Sequence, residues 1–228
     1  MRKILNVFKF MHQNGRRFLL MLYTPLYLLC FTLLESSSEH SYHVIHCPID
    51  NMIPFCEVFI IPYFGWFIYM TFGLIFTIFQ KNGRDFYHMA TALFFGMTFF
   101  IIISYAYPNM LDLRPTVFPR HNFLTQLVAD LYFVDTPTNV FPSIHVFNSV
   151  VIHHGMCRCD KFKTNPIYKH FSFVFTVLII LSTLFLKQHS VIDAGAGLLL
   201  ALAMYPICYS RWSGWLVKIW RKYDPKHY

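Results

Sequence analysis

Charged side chains are scarce in this sequence: only 13% of its 228 residues are Asp, Glu, Lys or Arg, whereas 56% are hydrophobic. A soluble domain of this length could not bury so much apolar surface, so the composition excludes a soluble globular protein. The chain also lacks low-complexity segments and detectable repeats, which leaves no sign of a linker or a solenoid. Apolar residues are abundant instead, including 26 Phe, and this composition indicates a protein surrounded by lipid.

Six apolar stretches approach the roughly 17–25 residues that cross a bilayer. They cover about 18–35, 56–79, 87–106, 142–156, 171–187 and 190–210. The fourth is interrupted by polar residues, and such a span is typical of a bundle interior. We therefore expect an all-α integral membrane bundle of six transmembrane helices.

The Lys and Arg residues predict its orientation. Sixteen of the nineteen fall in residues 1–17, near 80–86, near 157–169 and in the tail from Arg211, which all lie on one side of a six-span protein. Cations concentrate on the cytoplasmic side, so both termini are expected there. This bias and anionic lipid headgroups account for the net charge of +8, and no nucleic-acid partner is needed. The three remaining cations lie on the outer side: Arg114, Arg120 and Lys187.

The short connections predict one membrane domain over 1–228, with terminal segments at the membrane surface. Residues 1–17 contain an apolar face over 2–12 that predicts an interfacial helix, and 211–228 form an aromatic, basic interfacial tail. The first span is long for a signal peptide, so a retained anchor is favoured over a cleaved leader. In the second outer loop, the apolar spacing between Asn122 and Phe133 predicts an amphipathic helix over the outer mouth of the bundle.

The first outer loop raises the question of a metal. It carries histidines at three-residue intervals, which would converge on a helix but not in a proline-flanked loop: His40, His43 and His46. We therefore expect no metal site. Cys47 and Cys56 both lie near the outer face, where a disulfide is geometrically feasible, and none of the six cysteines shows a catalytic pattern.

A histidine and a carboxylate stand together at the start of the last span. His189 and Asp193 are four residues apart, so one helical turn places both on the same face. A carboxylate beside an imidazole fixes its tautomer and leaves the other ring nitrogen free as a nucleophile or base. A structural His–Asp pair is the alternative, but a carboxylate at membrane depth favours function.

A second cluster begins the fourth span. Pro142 and Ser143 precede His145, and a helix start that carries a Ser hydroxyl and free N–H groups suits an anion. Arg114 and Lys187 lie on the same side of the membrane. The sequence thus predicts that two histidines, a carboxylate and several anion-binding groups converge at one membrane level.

These residues resemble the type 2 phosphatidic acid phosphatase superfamily. Its three motifs appear in order as Tyr107-(six residues)-Arg114-Pro115, Pro142-Ser143-Ile144-His145 and Ser182-Thr183-(five residues)-His189-(three residues)-Asp193. Tyr107 and Thr183 replace two cations of the usual pattern, and Ile144 replaces a glycine. Lys187 and Arg120 are physically suited to take over those phosphate contacts. The relaxed motifs look most like the branch that includes inositol phosphorylceramide and sphingomyelin synthases.

The resemblance implies a reaction and its participants. His189 would form a phosphohistidine, Asp193 would orient it, and His145 would serve as acid and base, without metal or other cofactor. Arg114 and Ser143, with Lys187 and Arg120, would bind the phosphate. We expect a lipid phosphate or diphosphate phosphatase acting on a phospholipid or polyprenyl phosphate, at the outer face of a bacterial plasma membrane. The alternatives are a lipid phosphotransferase and a non-catalytic lipid-binding or transport protein, and the oligomeric state stays open.

Overall fold

The computed structural model describes residues 15–36, 41–80, 82–210 and 213–224, and nearly all of its regular structure is helical. The helices are α1 (Gly15–Leu20), α2 (Tyr23–Ser36), α3 (Ile60–Ile78), α4 (Arg84–Ala106), α5 (Phe123–Val134), α6 (Ile144–Arg158), α7 (Asp160–Thr164), α8 (Pro166–Phe185), α9 (Val191–Tyr209) and α10 (Gly214–Tyr223). Two short parallel strands, β1 (His43–Val44) and β2 (Asn109–Met110), join the segment before α3 to the segment after α4. Two short 3₁₀ helices, Pro48–Met52 and Glu57–Phe59, precede α3.

Five helical stretches are long and apolar enough to cross a membrane. They are Gly15–Ser36, Glu57–Ile78, Arg84–Ala106, Pro166–Phe185 and Val191–Tyr209, and they coincide with five of the six predicted spans. The part of the chain that the structure describes is therefore an all-α bundle with the dimensions and composition of a membrane protein.

The predicted fourth span is also a helix, but a short one. With 15 residues, α6 is about 22 Å long at about 1.5 Å per residue, less than the roughly 30 Å hydrocarbon core. It packs against α3, α4, α8 and α9, and its polar side chains Asn148 and Ser149 are buried. The polar residues thus mark the central helix of the bundle, as their pattern predicts, while a sixth complete crossing stays a prediction.

The cations separate toward the two ends of the bundle. Arg17 donates to the carbonyl of Ile78 at 2.7 Å, and the guanidinium of Arg158 lies 3.9 Å from the Asp85 carboxylate. These contacts gather α1, the end of α3, the start of α4 and the end of α6 at one end, together with several basic residues. At the opposite end lie the three exceptions: Arg114, Arg120 and Lys187.

The predicted amphipathic helix between Asn122 and Phe133 is confirmed as α5, while its position over the outer mouth of the bundle stays a prediction. Asn122 caps it by accepting a hydrogen bond from the backbone N–H of Thr125 at 3.0 Å, and its own side chains Val128 and Leu131 form its buried face. At the other end of the bundle, α10 forms within the predicted tail and buries Leu216. The predicted interfacial helix over 2–12 lies outside the described residues.

Candidate functional site

The start of α6 is held against the first turns of α9. The backbone N–H of Ser143 donates to the carbonyl of Asp193 at 2.9 Å, and the Ser143 hydroxyl accepts from the Val146 N–H at 3.4 Å as the helix cap. A Cβ added to Gly197 would lie 2.4 Å from the carbonyl oxygen of Ser143. Only glycine permits this backbone approach, which brings the second and third motifs together.

The start of α9 is capped by a carboxylate from a distant loop. Asp50 accepts hydrogen bonds from the Ser190 hydroxyl at 2.6 Å and from the Val191 N–H at 2.8 Å. An acidic group at a helix N-terminus also complements the positive end of the helix dipole. Asp50 therefore fixes the turn that carries His189 directly before the helix.

The three predicted catalytic residues meet. His189 Nδ1 lies 2.7 Å from Asp193 Oδ2, the geometry predicted from their four-residue spacing. His189 Nε2 lies 3.2 Å from His145 Nδ1. Since Asp193 orients one nitrogen of His189, the other nitrogen is presented to His145.

A second acid, not identified from the sequence, lies on the far side of His145. The Tyr63 hydroxyl donates a hydrogen bond to Asp135 Oδ2 at 2.9 Å, and the oxygen of that hydroxyl lies 3.1 Å from His145 Nε2. Burial raises the pKa of the Asp135 carboxyl, while the hydrogen bond from Tyr63 and the charges of His189 and Arg114 act in the opposite direction. Asp193, His189, His145, Tyr63 and Asp135 thus form one continuous hydrogen-bonded chain.

Arg114 lies beside this chain but is occupied by protein oxygens. Its guanidinium donates to the carbonyls of Tyr132 at 3.1 Å and Asp135 at 2.7 Å, and to Gln188 Oε1 at 2.5 Å. Burial lowers the pKa of Arg114, and the nearby Asp135 charge opposes that effect. Because Arg114 binds the oxygen of the Gln188 amide, the amide orientation is fixed, and its Nε2 group points away from Arg114.

Two other predicted phosphate-binding cations contact protein oxygens in the structure, and their role toward phosphate stays a prediction. Lys187 donates from Nζ to the carbonyls of Asp50 at 2.7 Å and Ile53 at 2.5 Å. Arg120 pairs with the buried carboxylate of Glu57 at 2.7 Å. Both cations therefore stabilise the segment between α2 and α3, whose oxygen atoms accept their hydrogen bonds.

A cavity of about 380 Å³ adjoins both histidines. Three N–H groups near the histidines are buried without a hydrogen-bond partner among the described residues: Trp66 Nε1, Gln188 Nε2 and, behind Gln188, Arg114 Nε. Trp66 and Gln188 line the cavity directly, and the Trp66 ring lies 4.5 Å from the His145 ring. The rest of the wall is mainly apolar and aromatic, with Tyr27, Leu28, Phe31, Phe67, Phe100, Leu131 and Val134. Such a cavity suits a ligand with a polar, hydrogen-bond-accepting head and an apolar body.

The histidines and cysteines of the segment between α2 and α3 are dispersed. His43 stacks on Tyr107 with ring centroids 4.4 Å apart, His46 contacts Asn51 at 3.2 Å, and His40 lies outside the described residues. Within the described ranges, no group of three or more His, Cys, Asp or Glu side chains is arranged to hold a metal ion. Cys47 and Cys56 are free thiols.

Comparison with known proteins identifies no relative of this chain. No protein-family model matches the sequence, and neither the curated proteins nor the solved structures contain a match. The site must therefore be interpreted from its own residues.

Proposed function

We propose that the protein is a lipid phosphate or diphosphate phosphatase that works through a phosphohistidine on His189. The observation that carries this proposal is the hydrogen-bonded sequence Asp193–His189–His145 at the polar edge of an apolar cavity. An oriented nucleophile next to a second imidazole that can move a proton is the arrangement that nucleophilic catalysis requires.

The geometry supports distinct roles for the two histidines. With its Nδ1–H donated to Asp193, His189 has a lone pair on Nε2, which would attack phosphorus. His145 Nδ1 faces the same space and would protonate the departing oxygen. The two nitrogens are 3.2 Å apart, too close to hold a phosphorus atom between them, so substrate binding would separate the rings and replace their mutual contact.

The phosphate oxygens would be held mainly by N–H donors. Gln188 is 3% exposed, and its amide oxygen is held by Arg114, so its Nε2 group is a fixed donor beside the histidines. Trp66 Nε1 supplies another donor. At the start of α6 the Ser143 and Val146 N–H groups already donate to protein oxygens, so the backbone N–H groups of Ile144 and His145 would be the ones to face an anion. Arg114 adds positive charge from behind Gln188. This set supports anion binding without requiring Lys187 or Arg120.

The cavity wall supports a lipid substrate rather than a soluble phosphate ester. Its apolar side chains come from α2, α3, α4 and α5, next to helices that are long enough to span a membrane. A hydrocarbon chain would replace water along this wall, at about 0.8 kcal/mol for each buried methylene. The cation distribution supports placing the site toward the outer face, on a phospholipid or polyprenyl phosphate.

Phosphotransfer is the second candidate, and the same apolar wall favours it. A lipid hydroxyl could approach His145 along the route that the substrate uses, and the phosphohistidine would then pass its phosphoryl group to that hydroxyl instead of water. The identity of the acceptor separates the two activities, while the catalytic residues are shared.

A direct test uses purified protein in liposomes with radiolabelled phosphatidic acid and polyprenyl diphosphate, and measures free phosphate and newly formed lipid separately. We expect free phosphate from the native protein and none from His189→Ala. His153→Ala is a matched control, because His153 is a partly buried histidine of α6 bonded to Ser172 at 2.8 Å; it should retain turnover. Labelled lipid in place of free phosphate would identify the transferase. Undiminished turnover by folded His189→Ala would refute the mechanism.

A further inference from the structure

His145 lies between two carboxylates in a single chain of hydrogen bonds. On one side the contact runs through His189 to Asp193, with lengths of 3.2 and 2.7 Å. On the other side it runs through Tyr63 to Asp135, with lengths of 3.1 and 2.9 Å. His189 and His145 therefore each have an acid behind them, one directly and the other through a phenol.

The number of hydrogens in this chain determines its charge. Its four contacts need four hydrogens. Two ionised carboxylates contribute none, and two neutral imidazoles and a phenol contribute one each, which makes three. When all four bonds are formed with both acids ionised, the chain holds one more hydrogen, and one imidazole is a cation.

The direction of the bond from Tyr63 decides which nitrogen of His145 titrates. Since Tyr63 donates its only hydrogen to Asp135, its oxygen must accept from His145, which places a hydrogen on Nε2. Nδ1 is then the atom that gains and loses a proton, and Nδ1 is the nitrogen that faces His189. Among the described residues, Tyr63 is the side-chain donor to the Asp135 carboxylate, because Arg114 binds the backbone carbonyl of Asp135 instead.

We propose that Tyr63 and Asp135 are positioning residues that keep His145 protonated on Nε2 and offset its positive charge while Nδ1 carries the catalytic proton. This inference rests on the proposed function. It assigns to His145 a carboxylate partner equivalent to the one that Asp193 provides for His189.

The first chemical step then balances as follows. His189 Nε2 forms a bond to phosphorus with its lone pair, the bond from phosphorus to the leaving oxygen breaks, and that oxygen takes the proton from His145 Nδ1. In the second step, His145 Nδ1 removes a proton from the attacking water, the new oxygen–phosphorus bond forms, and the nitrogen–phosphorus bond breaks with its electron pair returning to His189.

The test compares two substrates that differ in their need for a proton. Dodecyl phosphate releases an alkoxide and requires an acid, whereas a dodecyl-substituted nitrophenyl phosphate releases a stabilised phenolate and does not. In single-turnover experiments, Tyr63→Phe should slow cleavage of the alkyl substrate on the order of 10²-fold, a typical contribution of general acid catalysis. On the nitrophenyl substrate the same variant should remain within a few-fold of native. Asp135→Asn should show the same selective loss.

Tyr69→Phe is the matched control. Tyr69 is a buried tyrosine of the same helix, and its hydroxyl bonds to Ser172 Oγ at 2.6 Å, a contact that includes neither His145 nor His189. Its loss should affect both substrates equally and slightly, and thermal unfolding of all three variants would show whether they fold. Equal losses on both substrates for Tyr63→Phe and Asp135→Asn, or no loss on either, would overturn this inference alone. A native protein that cleaves neither substrate would overturn the proposed function and the inference together.

Discussion

Replacing Gly197 with alanine should move His189 and Asp193, at the start of α9, away from His145 at the start of α6. The added Cβ would lie 2.4 Å from the Ser143 carbonyl oxygen and 3.4 Å from the Phe147 backbone nitrogen, whereas ordinary contacts begin near 3.4 Å. Both neighbours are backbone atoms, so no side-chain rotation can relieve the clash. Helix α9 must therefore move by about 1 Å relative to the start of α6, and a misplacement of this size costs about 10²-fold in rate.

The assay is turnover of a lipid phosphate by purified Gly197→Ala protein, with thermal unfolding measured alongside. Overpacking should also lower the free energy of unfolding by about 1–3 kcal/mol, so activity is expressed per folded protein. Gly195→Ala is the control, because its added Cβ would meet nothing within 4 Å on the same helix. Equal activities of the two variants would show that this close approach does not position the histidines.

The remaining predictions concern Lys187, the topology and the role of metal. Lys187→Met should lower the unfolding free energy by about 1–3 kcal/mol, because the buried carbonyl of Asp50 and the partly buried carbonyl of Ile53 lose their donor, while KM stays within a few-fold. A selective rise in KM would instead indicate that Lys187 contacts the phosphate. A cysteine introduced at Thr116 should react with an impermeant maleimide in whole cells and one at Thr164 should not, and the reverse result would contradict an outward site. Chelation with EDTA should leave turnover intact, since the proposed chemistry uses nitrogen bases and N–H donors; zinc-dependent recovery after chelation would contradict this.

The sequence predicts the parts of the site that depend on local spacing. The four-residue separation of His189 and Asp193 becomes a direct hydrogen bond, and the Ser143 position becomes a helix cap next to His145. Hydropathy likewise predicts five of the long helices, because apolar length alone decides them. The short α6 differs, since a central helix surrounded by protein need not match the bilayer thickness.

The protein partners of Lys187 and Arg120 were not predicted from the sequence, for a physical reason. The distribution of Lys and Arg along the sequence predicts at which end of the bundle a cation lies, but it does not predict which oxygen atom the cation binds. Here loop oxygens around Asp50 bind Lys187, and Glu57 binds Arg120. Because the sequence has only 11 acidic residues, the few acids that lie at the same end of the bundle as the motifs are the first candidates for partners of these cations.

The Tyr63–Asp135 arm could not be found from spacing, because 72 positions separate its members. Neither residue belongs to the motifs that carry the resemblance, and each looks ordinary in its own segment. Their contact arises only when α3 and the residue after α5 meet beside His145. Tertiary packing, not local pattern, creates this part of the site.

The central claim is a covalent phosphohistidine on His189, and trapping it is the most direct measurement. The protein would be mixed with radiolabelled lipid phosphate, quenched within one turnover into alkali, which preserves phosphohistidine, and digested for mass spectrometry. The account predicts label on His189 in the native protein, and no label in His189→Ala. Label on another residue, or turnover by the native protein while His189 stays unmodified at every time point, would contradict it.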